Sequence, residues 1–226
     1  MIDIANSIAP NVVELFPNMI LALKETLIIV LISGIISTAI GIPLGIILVV
    51  TRPKHILENK VIFKILSRII NILRSIPFII LLTAIIPFTR FVAGTTIGIK
   101  GALVPLVIGA IPSIVRQIEA SLLDIDEGVI EAAKAMGSSN LEIIYRVLLR
   151  EGLPSIIYAL TITTVSLIGF SAMAGTVGGG GIGDFAVRYG YQYFKTDIMV
   201  ATIIIMIVLV NLVQFSGEVL RKRFIH

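Results

Sequence analysis

The run from Leu27 to Val50 contains no charged residue, and no other feature restricts the fold of this chain as strongly. A hydrocarbon core about 30 Å thick is crossed by about 20 helical residues. Within it every backbone N–H and C=O must find its partner inside the segment, so such a run reads as a transmembrane helix. Gly34, Gly41, Pro43 and Gly45 inside it read as sites of close helix contact or bending. A second run, Ile69 to Thr89, is interrupted only by Arg74, whose long side chain reaches the headgroups from near the helix end. The third, Gly101 to Val115, is short of a crossing. With Pro105, Gly109 and Pro112 it is read as a bent helix continuing to about Leu123, which puts Arg116 and Glu119 near its cytoplasmic end or against neighbouring helices. Gly152 to about Gly175 and Ile198 to Gly217 complete the set. The expected fold class is an all-α integral membrane protein with five transmembrane helices.

Composition agrees with that reading and excludes several others. With 57% hydrophobic and 14% charged residues and a mean hydropathy of +1.05, the chain lies outside the usual range for soluble domains. Its net charge of +4 comes from basic residues gathered beside apolar runs, which points to bilayer orientation and not to nucleic acid. Cysteine is absent, so disulfides, zinc thiolates and cysteine nucleophiles are excluded, and His55 and His226 do not make a metal site. Nothing before Lys24 is basic, so no secretory signal is expected ahead of the first span.

Short cytoplasmic loops carry the excess of lysine and arginine. Arg52, Lys54, Lys60, Lys64 and Arg68 follow the first span, and Arg221, Lys222 and Arg223 follow the last. The N-terminus is therefore expected outside and the C-terminus in the cytoplasm. Residues 1–20 then form an extracytoplasmic segment, 21–213 the membrane domain, and 214–226 the end of the last helix with a basic tail. Segment 124–151 falls in the cytoplasm and the glycine-rich stretch after the fourth span falls outside.

The cytoplasmic segment reads as two short helices. Asp124 with Glu127 has the spacing of a capping box, Gly137 ends the first helix, and Ser139 with Glu142 opens the second. Leu141, Ile144, Tyr145 and Leu148 form an apolar stripe, and Glu142 pairs with Arg146 at i,i+4. From these residues alone the segment is either a solvated linker or a docking element.

Glu131-Ala132-Ala133, three residues, Gly137, nine residues and Val147-Leu148-Leu149 resemble the EAA loop of prokaryotic ABC importer permeases. In that family the loop forms the coupling helix that sits in a cleft of the ATPase. The resemblance covers about Leu21 to Val213. It narrows to methionine-import permeases at Arg74-Ser75-Ile76-Pro77-Phe78, at Gly169-Phe170-Ser171-Ala172-Met173-Ala174-Gly175, at Tyr189-Gly190-Tyr191-Gln192 and at Gln214-Phe215-Ser216-Gly217. The chain departs from the pattern at Arg150, where the family commonly has proline; Pro154 lies four residues on.

The resemblance implies a homodimer in the cell membrane, two separate ATPase subunits that use ATP and magnesium, and an extracytoplasmic substrate-binding protein. It implies that Glu131, Ala132, Ala133, Met136 and Gly137 couple the ATPase to the spans. Ser166 and Ser171, able to hydrogen-bond across helices or line a polar passage, and Phe170 and Met173, soft enough for a thioether, become candidates for the substrate path.

No phosphate-cradling GxxxxGK[ST] loop is present, so ATP hydrolysis is expected in a partner chain. Gly178-x-Gly180-x-x-Gly183 has dinucleotide spacing but follows a membrane helix instead of a strand, and reads as a flexible outer loop. No nucleophile with a histidine base and no carboxylate pair in an apolar cleft is evident, so the chain is expected to bind no cofactor and to be no enzyme. The alternatives are a permease of the same family for another amino acid or small solute, a gradient-driven carrier, and a membrane scaffold.

Overall fold

The computed structural model describes residues 9–224, so residues 1–8 of the expected N-terminal segment and His226 lie outside it. The described residues form helices and connections without a strand. In chain order they are α1 (Pro10–Val50), α2 (Lys60–Arg74), α3 (Phe78–Ala84), α4 (Ile86–Ala93), α5 (Gly98–Leu123), α6 (Glu127–Ala135), α7 (Asn140–Glu142), a π-helical turn (Ile143–Leu148), α8 (Leu149–Glu151), α9 (Leu153–Gly175), α10 (Gly181–Phe185), a second π-helical turn (Ala186–Gln192) and α11 (Thr196–Lys222).

By length and composition α1, α5, α9 and α11 are each able to cross a bilayer, and α2 and α3 reach that mark only when taken together across the bend at Ser75–Pro77, for four spans or up to five. The break has a local cause. Pro77 sits just ahead of α3 and pushes the preceding residue out of helical geometry. The helix α1 begins well before Leu27, because Glu14, Lys24 and Glu25 interrupt a hydropathy run without interrupting a backbone ladder.

The contacts divide the chain into two compact units. The first holds residues up to Ile35, Pro77–Ile108 and Thr164–Val213. Its core joins Met19 and Ala22 of α1, Ile182 and Phe185 of α10 and Ile198 of α11. Asp197 accepts hydrogen bonds from the backbone N and the Nδ2 of Asn11, at 3.0 and 3.1 Å, tying the start of α11 to the start of α1. The glycine-rich stretch is pinned. Gly181 N donates to Glu25 Oε2 and Ile182 N to Thr26 Oγ1, both at 2.8 Å, so α1 supplies the acceptors that the first amides of α10 require. Gly181 has φ +79°, and a Cβ there would lie 2.6 Å from Thr26 Oγ1. This loop carries glycine for close approach to α1, and the expected loose outer loop is replaced by a capped helix start.

The second unit holds Ile36–Ile76, Gly109–Thr163 and the residues from Gln214 on. Leu48, Ile70 and Val115 form a core cluster joining α1, α2 and α5. A Cβ on Gly41 or Gly45 would run into Ile114 or Ile118, so these two glycines set how closely α1 meets α5. Arg116 is bound on three sides. Its guanidinium donates to Glu119 Oε2 at 2.5 Å, to Ser67 Oγ at 2.7 Å and to Asn71 Oδ1 at 2.7 Å. Glu119 is buried and also faces Arg52 at 3.8 Å. The pair expected near the end of the third span is thus a partly buried brace that ties α5 to α2 and to the turn after α1.

Candidate functional site

The segment between α5 and α9, within the second unit, is built from its own caps. Asp126, not Asp124, caps α6: its side chain accepts from Gly128 N at 2.6 Å, while Asp124 N still donates back to Ala120 O in the last turn of α5. The helix ends in a Schellman arrangement. Gly137 N donates to Lys134 O and Ser138 N to Ala133 O, with Gly137 at φ +83°. Ser139 and Glu142 then form a capping box, and Glu142 pairs with Arg146 at 3.6 Å. The Ser139 hydrogen bonds, chiefly, hold the Glu142 carboxyl below its ordinary value.

Five side chains hold this segment to its unit. Ile130 and Ala133 of α6 are buried, as are Ile143, Ile144 and Leu148 of the π-helical turn. The expected stripe is therefore divided. Ile144 and Leu148 point inward, whereas Leu141 and Tyr145 stay exposed, because the Leu149 N to Ile144 O bond spans five residues and shifts the register away from 3.6 per turn. What remains outside is an apolar surface of Val129, Met136, Leu141 and Tyr145, with Met136 79% and Tyr145 68% exposed. Glu131, Ala132 and Gly137 are exposed beside it. Ala133, grouped with them from the sequence, faces its own unit at 4% exposure, since it lies three residues from Ile130 on the same helix face.

Beneath α6 lies a cavity of about 60 Å³ lined by Lys54, His55, Glu127, Ile130, Glu131 and Lys134. His55 Nδ1 is buried there without a hydrogen-bond partner among the described residues. Burial first, and the Lys134 charge second, push the imidazole below its ordinary 6.5, so it is neutral at neutral pH. The loop that carries it closes through Leu57 N to Val50 O and Asn59 N to Thr51 O. Sequence reasoning weighed His55 only as a metal ligand, and its place under α6 follows from a fold contact that no spacing reveals. No group of three or more metal-binding side chains forms among the described residues.

The four candidates for a passage lie in the first unit and do not share one surface. Ser166 and Met173 are exposed on one face of α9, seven residues apart with exposed Gly169 between them. Ser171 is 3% exposed and donates to Ile168 O at 2.8 Å. Phe170 stacks on Phe78, with centroids 4.4 Å apart and planes at 14°. Phe78 and Phe170 belong to two of the sequence segments that narrowed the resemblance, and their rings bring those segments together. The same unit holds a cavity of about 280 Å³ bordered by Leu82, Thr89, Ala102, Pro105 and Val177. Thr89 is buried and its hydroxyl is unpartnered among the described residues.

Comparison with known proteins agrees with this architecture. Residues 41–226 match the family described as "Binding-protein-dependent transport system inner membrane component". The chain is 48% identical over 202 residues to the "Probable D-methionine transport system permease protein MetI" of Vibrio cholerae, covering 89% of this chain and 90% of that one. It is 50% identical over 151 residues to the "D-methionine transport system permease protein MetI" of Escherichia coli K12, covering 67% and 70%. A solved structure described as "Inward facing conformations of the MetNI methionine ABC transporter" superposes with a TM-score of 0.91 at 42% identity, over 97% of this chain and 100% of that one.

Proposed function

The chain belongs to the family of binding-protein-dependent transport system inner membrane components, and from that premise we propose that it is the permease subunit of an ATP-driven importer of methionine. The observation that carries the substrate is the 48% identity to the Vibrio cholerae protein over about nine-tenths of both chains. The chain itself performs no hydrolysis. ATP and magnesium act in a partner ATPase, a binding protein delivers methionine from outside, and two copies of the chain enclose the path. The N-terminus lies outside and the C-terminus in the cytoplasm, as the basic residues after α1 and α11 favour.

The mechanism follows from the exposed segment. Met136 and Tyr145 offer apolar anchors, Glu131 offers a charge, and Ile130 and Ala133 fix α6 to the second unit. An ATPase that binds this surface differently in its open and closed states shifts the permease between two conformations, and only that difference in affinity does work on the spans. Ser166 and Met173 on the exposed face of α9 are placed along the path.

The test is ATP-dependent uptake of labelled methionine by liposomes containing this chain with its ATPase and binding protein. The expected result is uptake competed by methionine and its close analogues alone. Uptake of a different solute discards the substrate. Uptake driven by a proton or sodium gradient without ATPase discards the mechanism.

A further inference from the structure

The helix α2 is amphipathic in a way that neither the core nor the coupling surface accounts for. Phe63, Leu66 and Ile70 pack inward. Ile65, Ile69 and Ile72 stand 57%, 48% and 59% exposed along a second stripe. Between the two runs a polar stripe, in which Lys64 and Arg68 are one helical turn apart and exposed. Lys60 pairs with Glu58 at 3.4 Å, but neither Lys64 nor Arg68 has a carboxylate partner among the described residues. Both lie on an open face of α2 that also carries the exposed isoleucines, Ser67 and Asn71, and every residue bordering it belongs to this helix or its C-cap. The Arg116 guanidinium, bonded to Ser67 and Asn71, has its charge compensated by Glu119, so Lys64 and Arg68 are the cations left without a carboxylate on this face.

We propose that this face of α2 binds an anionic phospholipid, its phosphate at Lys64 and Arg68 and its acyl chains along Ile65, Ile69 and Ile72. The occupant follows from complementarity. A soluble anion would leave three isoleucines without an apolar partner, and a zwitterionic lipid would leave two cations without a net countercharge. An anionic phospholipid meets both needs in one molecule, and basic residues beside a membrane helix attract such headgroups. The assignment rests on the reading that the connection after α1 lies at the cytoplasmic membrane surface.

The experiment titrates the purified complex of this chain with its ATPase, in detergent, with fluorescent phosphatidylglycerol and with fluorescent phosphatidylcholine. The expected result is tighter binding of phosphatidylglycerol, weakened about 5-fold by either Lys64→Gln or Arg68→Gln and about 25- to 30-fold by both, which corresponds to about 1 kcal/mol per cation. Phosphatidylcholine binding should not change. The charge-keeping pair Lys64→Arg and Arg68→Lys should retain the preference. Equal binding of the two lipids, or a neutralised double variant that binds phosphatidylglycerol as the wild type does, overturns the assignment. Loss of ATPase or of the second copy on size exclusion, with lipid binding unchanged, overturns it in favour of a protein occupant. Because binding is read without transport, failure of the methionine uptake assay leaves this outcome separately readable.

Discussion

Substitution of Gly137 tests whether the turn after α6 is set by backbone geometry or by space. The residue has φ +83°, and a Cβ built on it meets nothing within 4 Å. A methyl group therefore costs nothing by contact and acts only through the left-handed backbone, where an L-residue pays about 1–2 kcal/mol. Asparagine tolerates that region better than alanine, and β-branched residues least. If the Schellman turn must form for the ATPase to dock, Gly137→Ala should weaken ATPase binding by about 5- to 30-fold, the equivalent of that penalty. Gly137→Asn should lose less and Gly137→Val more. Calorimetric titration of the detergent-solubilised permease with its ATPase gives the affinities, and methionine taken up per ATP hydrolysed in liposomes gives the coupling. An alanine variant equal to wild type, with losses growing only with side-chain volume, would refute the backbone argument and make the position a steric contact with the partner.

Three further outcomes follow. Gly41→Ala should cost about 1–3 kcal/mol because its Cβ would lie 2.5 Å from Ile114 Cγ2, while Gly34→Ala, 3.6 Å from Leu167 Cδ1, should be neutral or slightly stabilising; thermal midpoints of the two variants in detergent would rank them, and equal midpoints contradict the packing. Glu119→Ala leaves Arg116 uncompensated and should cost about 3–5 kcal/mol, with much of the loss recovered when Arg116→Met is added; a double variant as unstable as the single one speaks against a brace. His55, held below 6.5 in the fold, takes its proton more readily when unfolded, so its share of stability is complete above pH 6.5 and is lost as pH falls from 6.5 through the lowered folded value. The midpoint of the wild type should then fall over that window by more than that of His55→Gln, and parallel pH profiles would argue against a neutral buried imidazole.

Hydropathy found the spans because transfer of an uncharged run into hydrocarbon depends on composition alone. The same measure lost the first turns of α1, since a helix continues past Lys24 and Glu25 at no cost once those side chains reach water or a partner, as Glu25 does on Gly181. In the connecting segment the Ser139–Glu142 box and the stop at Gly137 were legible, being local hydrogen-bond chemistry. The inward turn of Ala133 and the place of His55 were not, because each is decided by a neighbour distant in sequence. The stripe Leu141, Ile144, Tyr145 and Leu148 was misread for a third reason: the period assumed was 3.6, and the backbone there winds more slowly.

That slower winding gives chain length a role that composition does not have. A π-helical turn holds one residue more than the α-helical path it replaces, so the orientation of Tyr145 and Leu141 relative to buried Ile144 and Leu148 depends on how many residues separate the anchors. Loss of one residue between 143 and 148 would restore the α-helical register and rotate one set against the other without changing any side chain's chemistry. For a lineage in which this surface must change, an indel at this turn is a single genetic step that re-aims the exposed apolar face, available without passing through a series of substitutions.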